Sequence, residues 1–255
     1  MQNTNYTKNF NHIAISGALG GYGGGLLYSI SEDWRSAFSR KNYNIFGPRA
    51  FITSLIATSS ISFSFYELLK GRVFKDYQPY SPFFAFTSGF FAGAVAATPI
   101  ENYILLKNRY QITAIQAVSL IMKQGPSPLF MALPEIALKE AAFATAMLWA
   151  VAESRKQVVE NRTSPNLKDL STLSVGLAAA IITQPLDKIA EIKQNSNGIL
   201  STVDVFKKIM MKNYWPLELF KGLSRRIVIF TGSIHVIPYI QNASYIALEK
   251  ITFKK

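Results

Sequence analysis

Lys139 and Glu140 are neighbouring residues of opposite charge inside an apolar stretch, where charges are costly and are a functional hypothesis by default. Two acids in other apolar stretches, Glu101 and Asp187, each lie two positions after a proline. Side chains of these types can bind a charged solute, or they can pair with polar groups inside the protein. We therefore expect these side chains to act through their charges, either on a bound solute or on one another.

Residues for covalent or metal chemistry are scarce. The chain has no cysteine, which excludes disulfide scaffolds and thiolate metal sites. Its two histidines, His12 and His235, are far apart in sequence and lack partners at metal-ligand spacing. No phosphate-binding loop, nucleophile elbow or zinc motif is present. We therefore expect no metal, no organic cofactor and no enzymatic activity.

The segments that would position these charges repeat along the chain. Gly47, Ala132 and Gly222 each precede an apolar stretch, and they lie 85 and 90 residues apart. The two Pro-x-acid segments, which begin at Pro99 and Pro185, lie 86 residues apart. Because repeated units fold alike and pack side by side, this period predicts three copies of a helix pair in a single domain. The predicted repeats are 1–78, 79–160 and 161–255.

The composition places these helices in a membrane. The chain is 49% hydrophobic and 16% charged, whereas a soluble domain usually has about a quarter charged residues. Its apolar stretches have the length of about twenty residues that spans a bilayer. We therefore expect an all-α membrane bundle of six helices with pseudo-threefold symmetry; the alternative is a soluble all-α protein with unusually apolar helices. The predicted spans are 9–30, 48–69, 82–106, 129–152, 168–192 and 224–248.

The net charge of +12 fits the same environment. Basic residues cluster at the ends of the apolar stretches, where each can gain about 1 kcal/mol from an anionic lipid surface. Nucleic-acid binding would explain the charge equally well, but it would not explain the hydropathy, and no nucleic-acid-binding motif is present. We therefore expect membrane lipid, and not nucleic acid, as a partner. The basic residues are Lys107, Arg109, Arg155, Lys156, Lys207, Lys208, Lys212, Lys221, Arg225 and Arg226.

In these repeats the chain resembles the mitochondrial carriers, a family with three repeats of two membrane helices joined by a short matrix helix. Pro99-Ile100-Glu101 and Pro185-Leu186-Asp187 match the first half of the family's odd-helix motif, Pro-x-Asp/Glu-x-x-Lys/Arg. Phe220-Lys221-Gly222 matches the aromatic-basic-glycine turn, and the segment 66–70 matches the even-helix motif, Phe/Tyr-Asp/Glu-x-x-Lys/Arg. The resemblance covers nearly the whole chain. It implies a multi-pass protein of the mitochondrial inner membrane.

The resemblance also implies two rings of ion pairs that close a central cavity alternately, and the first ring is degenerate here. Glu101 and Asp187 keep its acids. The basic positions, three residues after each acid, hold Ile104 and Ala190 instead of a cation. The candidate replacements, about one helical turn further along, are Lys107 and Lys193.

The second ring is also incomplete. The first repeat keeps its acid and base as Glu67 and Lys70. In the second repeat the base is Arg155, and the acid Glu153 lies one position late. In the third repeat Asn242 replaces the acid, so no ion pair can form there. We interpret these residues as remnants of gates that no longer work symmetrically.

The first repeat departs furthest from the family. No Pro-x-acid segment occurs at the expected distance before Gly47, and six glycines crowd the stretch 17–25. We interpret this as a deletion of the end of the first odd helix and part of the following loop. Because glycines let helix backbones approach closely, we expect this stretch to pack against another helix, inside the bundle or in a partner protein. The alternative is a flexible, poorly packed helix start.

The family's substrate contacts lie seven and eight residues after the turn residue of each even helix. Those positions hold Ser54 and Leu55, Lys139 and Glu140, and Ile229 and Phe230. In a carrier, Ser54, Lys139 and Glu140 would bind the solute. The apolar pair in the third repeat makes a three-sided site for a charged metabolite unexpected. Lys139 and Glu140 would then be a relic that pairs with neighbouring groups or plugs the cavity.

Two functions remain open from the sequence. One is an active carrier with altered gates that exchanges a small metabolite across the inner membrane. The other is a carrier fold that has lost transport and serves as a structural subunit of a larger inner-membrane assembly, with a respiratory-chain complex as the candidate. The missing cations and the apolar contact positions favour the second. In both cases the resemblance implies bound cardiolipin at Lys221 and Gly222 and, more weakly, at Gly47 and Ala132.

Overall fold

The computed structural model describes residues 11–24, 48–70, 81–150 and 165–252. Within these ranges the chain consists of helices joined by turns, with no strand. The prediction of an all-α protein is therefore confirmed.

The described residues form long helices interrupted by short ones. In chain order they are α1 (11–24), α2 (Pro48–Leu68), α3 (Ser81–Tyr110), α4 (Ala114–Gln124), α5 (Leu133–Ala144, continued by the π-helical segment Thr145–Ala150), α6 (Pro165–Asn195), α7 (Thr202–Met210), α8 (Trp215–Leu219) and α9 (Leu223–Thr252). A single 3₁₀ turn, Ser127–Phe130, lies between α4 and α5.

Two of these helices contain segments that are long and apolar enough to cross a membrane, namely Ser81–Tyr110 and Thr172–Asn195. They correspond to the predicted spans 82–106 and 168–192. The other four predicted spans remain predictions, because no further helix in the described ranges meets the same criteria of length and composition.

The long helices contact one another in a consistent order. α3 packs between α2 and α5, and α6 packs between α5 and α9. α1 then lies against both α2 and α9, through the close approaches of its glycines. The charged residues of α3, α5, α6 and α9 are thereby carried on neighbouring helices.

The glycines of α1 permit this close approach. A Cβ atom added to Gly21 would lie 2.5 Å from the carbonyl oxygen of Leu55 in α2. A Cβ atom added to Gly20 would lie 2.7 Å from the carbonyl oxygen of Ile237 in α9. Any side chain at these positions would therefore collide with backbone, and the expected tight helix packing within the bundle is confirmed.

The middle of α3 changes its hydrogen-bond pattern just before Pro99. Because proline has no backbone N–H, it cannot continue the regular ladder of the helix. The segment Gly93–Ala97 is π-helical, and the Thr98 hydroxyl donates to the carbonyl of Gly93 at 2.8 Å. A π-bulge of this kind is a common local adjustment at functional positions.

The short helices α4 and α7 begin in the same way. Thr113 and Gln116 form a capping box at the start of α4, and Ser201 and Asp204 form one at the start of α7. Such boxes satisfy backbone N–H groups that a helix start leaves free. The hydrogen bonds from Ser201 hold the pKa of the Asp204 carboxyl below its ordinary value. A capping box thus defines the first turn of each short helix, which follows the end of a long helix.

Candidate functional site

Lys139 of α5 is the centre of a charged cluster inside the helix bundle. Its ammonium nitrogen lies 3.2 Å from a carboxylate oxygen of Glu101 in α3 and 3.5 Å from one of Asp187 in α6. It also lies 3.6 Å from the carboxylate of Glu140, the next residue along α5. One cation thus contacts three carboxylates from three helices.

Arg226 of α9 supplies the second cation. Its guanidinium lies 2.6 Å from a carboxylate oxygen of Asp187. Its Nε donates a hydrogen bond to the Thr183 hydroxyl at 3.0 Å, and its central carbon lies 4.6 Å from the centre of the Phe230 ring. Arg226 is therefore held in place by charge, by a hydrogen bond and by an aromatic face.

The cluster is largely shielded from solvent. The side chains of Lys139 and Arg226 are each 10% exposed, those of Glu140 and Glu101 are 14% and 18% exposed, and Asp187 is half-exposed. Paired charges in such a place contribute little net stability, but removing one partner leaves the others unpaired at a cost of several kcal/mol. Removing Lys139 or Arg226 should therefore cost more free energy of folding than the ion pairs themselves contribute.

Glu101 and Asp187 both have cations in the structure, although not at the positions that the family's motif assigns to the base. Ile104 and Ala190 do occupy the expected basic positions, but the cations come instead from α5 and α9, as Lys139 and Arg226. Counting positions along one helix from its proline cannot find these cations, because each cation belongs to a neighbouring helix.

The two lysines expected as replacements do not join this cluster. Lys107 is exposed near the end of α3. Lys193, at the end of α6, pairs with Glu135 at the start of α5, with two contacts of 3.0 and 3.1 Å. Thr202 at the start of α7 donates to the same carboxylate and accepts from Lys193. These contacts join the start of α5, the end of α6 and the start of α7. The ion pair is buried, since the side chain of Glu135 is 3% exposed and that of Lys193 is 12% exposed.

The turns before α5 and α9 are held by side-chain amides. Asn102 of α3 is fully buried and donates to the carbonyls of Leu129 and Met131, the latter at 2.9 Å. Gln184 of α6 donates to the carbonyl of Lys221 at 2.8 Å. In each case the acceptor precedes the turn residue of the repeat, Ala132 or Gly222, and both turn residues have positive φ angles, of 55° and 93°.

The space beside the cluster is narrow. Between α2 and α5 a gap runs past Glu140 and Phe143, with Thr58, Ser59 and Ser62 on the α2 side, and it is too narrow to admit a water molecule. Phe143 packs edge-to-face against Phe230 of α9, with their ring centres 4.7 Å apart. The aromatic pair and the ion pairs thus link α5, α6 and α9 to one another.

The remaining predicted residues lie elsewhere. Ser54 is buried in α2, but its neighbour Leu55 lines the narrow gap. Glu67 and Lys70 lie at the end of α2, where the Lys70 ammonium is 5.8 Å from the centre of the Tyr66 ring. Four predicted residues lie outside the described ranges, namely Gly47, Glu153, Arg155 and Lys156.

Three residues that organise the site were missed or misplaced by sequence reasoning. Arg226 was expected at the lipid headgroups, and neither Glu135 nor Asn102 was singled out. A signal for Arg226 exists, since it lies four residues before Phe230 and so shares its helix face. Glu135 also carries a signal, since it is a charge within the predicted span 129–152, whereas nothing in the sequence distinguishes Asn102.

Comparisons of the chain with protein-family models, with curated proteins and with solved structures find no match.

Proposed function

We propose that this chain is a carrier-like protein of the mitochondrial inner membrane that has lost transport and acts as a structural subunit of a larger membrane assembly. The proposed architecture is a bundle of six membrane helices in three repeats with pseudo-threefold symmetry. A respiratory-chain complex is the candidate assembly.

The architecture is supported by equivalent features in the second and third repeats. In both, a long helix with a Pro-x-acid segment is followed by a short helix with a capping box. In both, an amide side chain then holds a turn whose last residue has a positive φ angle, at Ala132 and Gly222. The order of helix contacts, from α1 through α9 and back to α1, supports a closed ring of six helices.

The loss of transport is supported by one observation, the ion pairs that already engage the expected solute-binding side chain. Lys139, the best candidate for binding a solute, already contacts three carboxylates. Phe143 of the same helix packs against Phe230 of α9. A transport site must be open to one compartment and then to the other. A solute would therefore have to break several ion pairs before it reached Lys139.

Bound lipid is part of this proposal. Lys221 is exposed beside Gly222 at the start of α9, where backbone N–H groups favour a phosphate. We propose cardiolipin there, with weaker sites at Ala132 and Gly47. Native mass spectrometry of the purified protein should retain cardiolipin, and Lys221→Ala should reduce the retained amount.

Transport assays in liposomes test the proposal directly. Reconstituted protein should exchange no nucleotide, keto acid, amino acid or phosphate above empty vesicles, and purification in mild detergent should bring down stoichiometric membrane subunits. Saturable uptake that Lys139→Ala abolishes would overturn the structural role and establish a carrier.

The carrier remains the second candidate because of one specific observation. Both retained acids, Glu101 and Asp187, have cations in this closed arrangement, as a gate that forms and breaks would require. A carrier of this kind would release Lys139 from its three carboxylates when the interior opens. A cysteine pair that cross-links α3 to α6 near these acids would then block uptake reversibly.

A further inference from the structure

The charged cluster around Lys139 contains more acids than bases. Its carboxylates belong to Glu101, Glu140 and Asp187, and its cations are Lys139 and Arg226. If every group were ionised, these five side chains would carry one net negative charge. Such a charge is costly in a largely shielded place, and a buried carboxylate without a full partner is neutralised by a proton instead.

The contacts single out Glu140 as the least compensated acid. Asp187 meets two cations, with the guanidinium of Arg226 at 2.6 Å and the ammonium of Lys139 at 3.5 Å. Lys139 also donates a hydrogen bond to Glu101 at 3.2 Å. The nearest carboxylate oxygen of Glu140 is 3.6 Å from the same ammonium, which is beyond hydrogen-bond distance.

The surroundings of Glu140 do not restore the balance. The charged groups that face it are Lys139 of α5, Glu101 of α3, Asp187 of α6 and Arg226 of α9. On the remaining side α2 lies across the narrow gap, with the hydroxyls of Thr58, Ser59 and Ser62. These hydroxyls can donate to a carboxylate or accept from a neutral carboxyl. They carry no charge, so the described part of α2 leaves the excess acid as it is.

The available space favours a proton over a metal ion. The gap beside Glu140 is too narrow to admit a water molecule, whereas a hard cation binds through several oxygen ligands arranged around it. On the α3 side, a Cβ atom added at Gly93 would lie 3.0 Å from the Cβ atom of Glu140. The stem of Glu140 is therefore held close to the α3 backbone. A proton needs no additional space.

We propose that Glu140 holds one proton at neutral pH, so that the cluster as a whole is uncharged. The proton comes from solvent and adds to the carboxylate. If the interior opens and Lys139 leaves Glu101, Lys139 can pair with Glu140, which then releases its proton. Opening of the interior is thereby linked to pH. The inference holds for a structural subunit and for a carrier alike, because it depends on the charges of the closed arrangement.

Infrared spectroscopy detects this proton directly, because a neutral carboxyl has a carbonyl stretch that a carboxylate lacks. The full chain is measured at neutral pH in an alkyl maltoside, a detergent without carbonyl groups, with and without isotope-labelled glutamate. We expect a neutral-carboxyl band that shifts in the labelled protein. The shift assigns the band to a glutamate and excludes Asp187, and it requires no substitution.

Conservative substitutions in the labelled protein locate the proton. In Glu140→Asp the band should lose its isotope shift, because the neutral carboxyl then belongs to an unlabelled aspartate. In Glu101→Asp the shift should remain, since Glu140 still holds the proton. The matched control is Glu135→Gln, which removes a buried glutamate outside the cluster and should leave the labelled band unchanged.

Charge balance predicts one further loss. Glu101→Gln leaves two carboxylates and two cations in the cluster, so that Glu140 should ionise and the neutral-carboxyl band should disappear. The proposal is overturned if the unmodified chain shows no such band, or if the isotope shift survives Glu140→Asp. A band that persists in Glu101→Gln, or that disappears in Glu135→Gln, would overturn it as well.

Discussion

The ion pair between Lys193 and Glu135 should be the most sensitive polar contact outside the charged cluster. Lys193→Met removes the ammonium and leaves the Glu135 carboxylate, 3% exposed, with Thr202 as its remaining side-chain donor. Breaking a buried pair in this way costs about 3–5 kcal/mol, which is a factor of roughly 10²–10³ or more in the unfolding equilibrium. The same helix end would also lose its link to α5 and α7.

The matched control lies on the same helix. Lys188 pairs with Glu191 at 2.9 Å, but Glu191 is 53% exposed and the residues are three apart in one helix. Lys188→Met should therefore cost no more than about 0.5 kcal/mol. Both variants remove one lysine from α6, so that the difference between them reports burial of the partner.

Unfolding by added sodium dodecyl sulfate in mixed micelles measures the difference. Replacing both partners, as Lys193→Met/Glu135→Leu, should recover most of the loss, because well-packed apolar pairs can substitute for buried ion pairs. The reasoning fails if Lys193→Met costs no more than Lys188→Met, or if the double variant is less stable than the single one.

Four further outcomes are expected from single positions. Ala132→Gly should stabilise the protein by about 1 kcal/mol, since Ala132 has a left-handed φ of 55° that glycine adopts without strain. Gly222→Ala should cost a similar amount in the same unfolding assay, from backbone strain alone, because the nearest atom to the added Cβ would be 3.7 Å away. Gly21→Ala should cost about 1–3 kcal/mol by collision with the backbone of α2, whereas Gly23→Ala meets a flexible side-chain terminus and should cost less in the same melts. The cap of α7 should weaken as the pH falls, because the pKa of Asp204 is lower in the folded than in the unfolded protein. The stability that the Asp204 carboxylate contributes is fully present above its unfolded pKa of about 3.9, and it is lost as the pH falls through its folded pKa. Hydrogen exchange of α7 should show this step, and Asp204→Asn should abolish it.

The helical class was readable from the sequence because it depends on local properties. Long apolar stretches that recur at a fixed period predict helices, and the structure has them at Ser81–Tyr110 and Pro165–Asn195. The glycines of the stretch 17–25 predicted close packing for a similar reason, since a missing side chain is visible in the sequence itself. The identity of the neighbouring helices, α2 and α9, was not visible there.

The pairing of charges was decided by the tertiary structure. The sequence identified Lys139, Glu140, Glu101 and Asp187 as the charges that matter, because charges are rare in apolar stretches. It gave no means of finding that Lys139 would contact three carboxylates, or that Arg226 would turn inward to Asp187. Such contacts join residues that are 38 or more positions apart, apart from the adjacent pair in α5.

The physical reason is that the cost of burying a charge is set locally along the sequence, whereas its pairing is set by contacts between helices that are distant in sequence. The cost of placing a charge in an apolar helix depends on that helix alone, so the sequence determined which residues need partners. Electrostatic compensation depends on the distances between helices, which the packing of glycines, amides and aromatic rings sets. Only the folded chain therefore decided that the acids of α3 and α6 are balanced by the cations of α5 and α9.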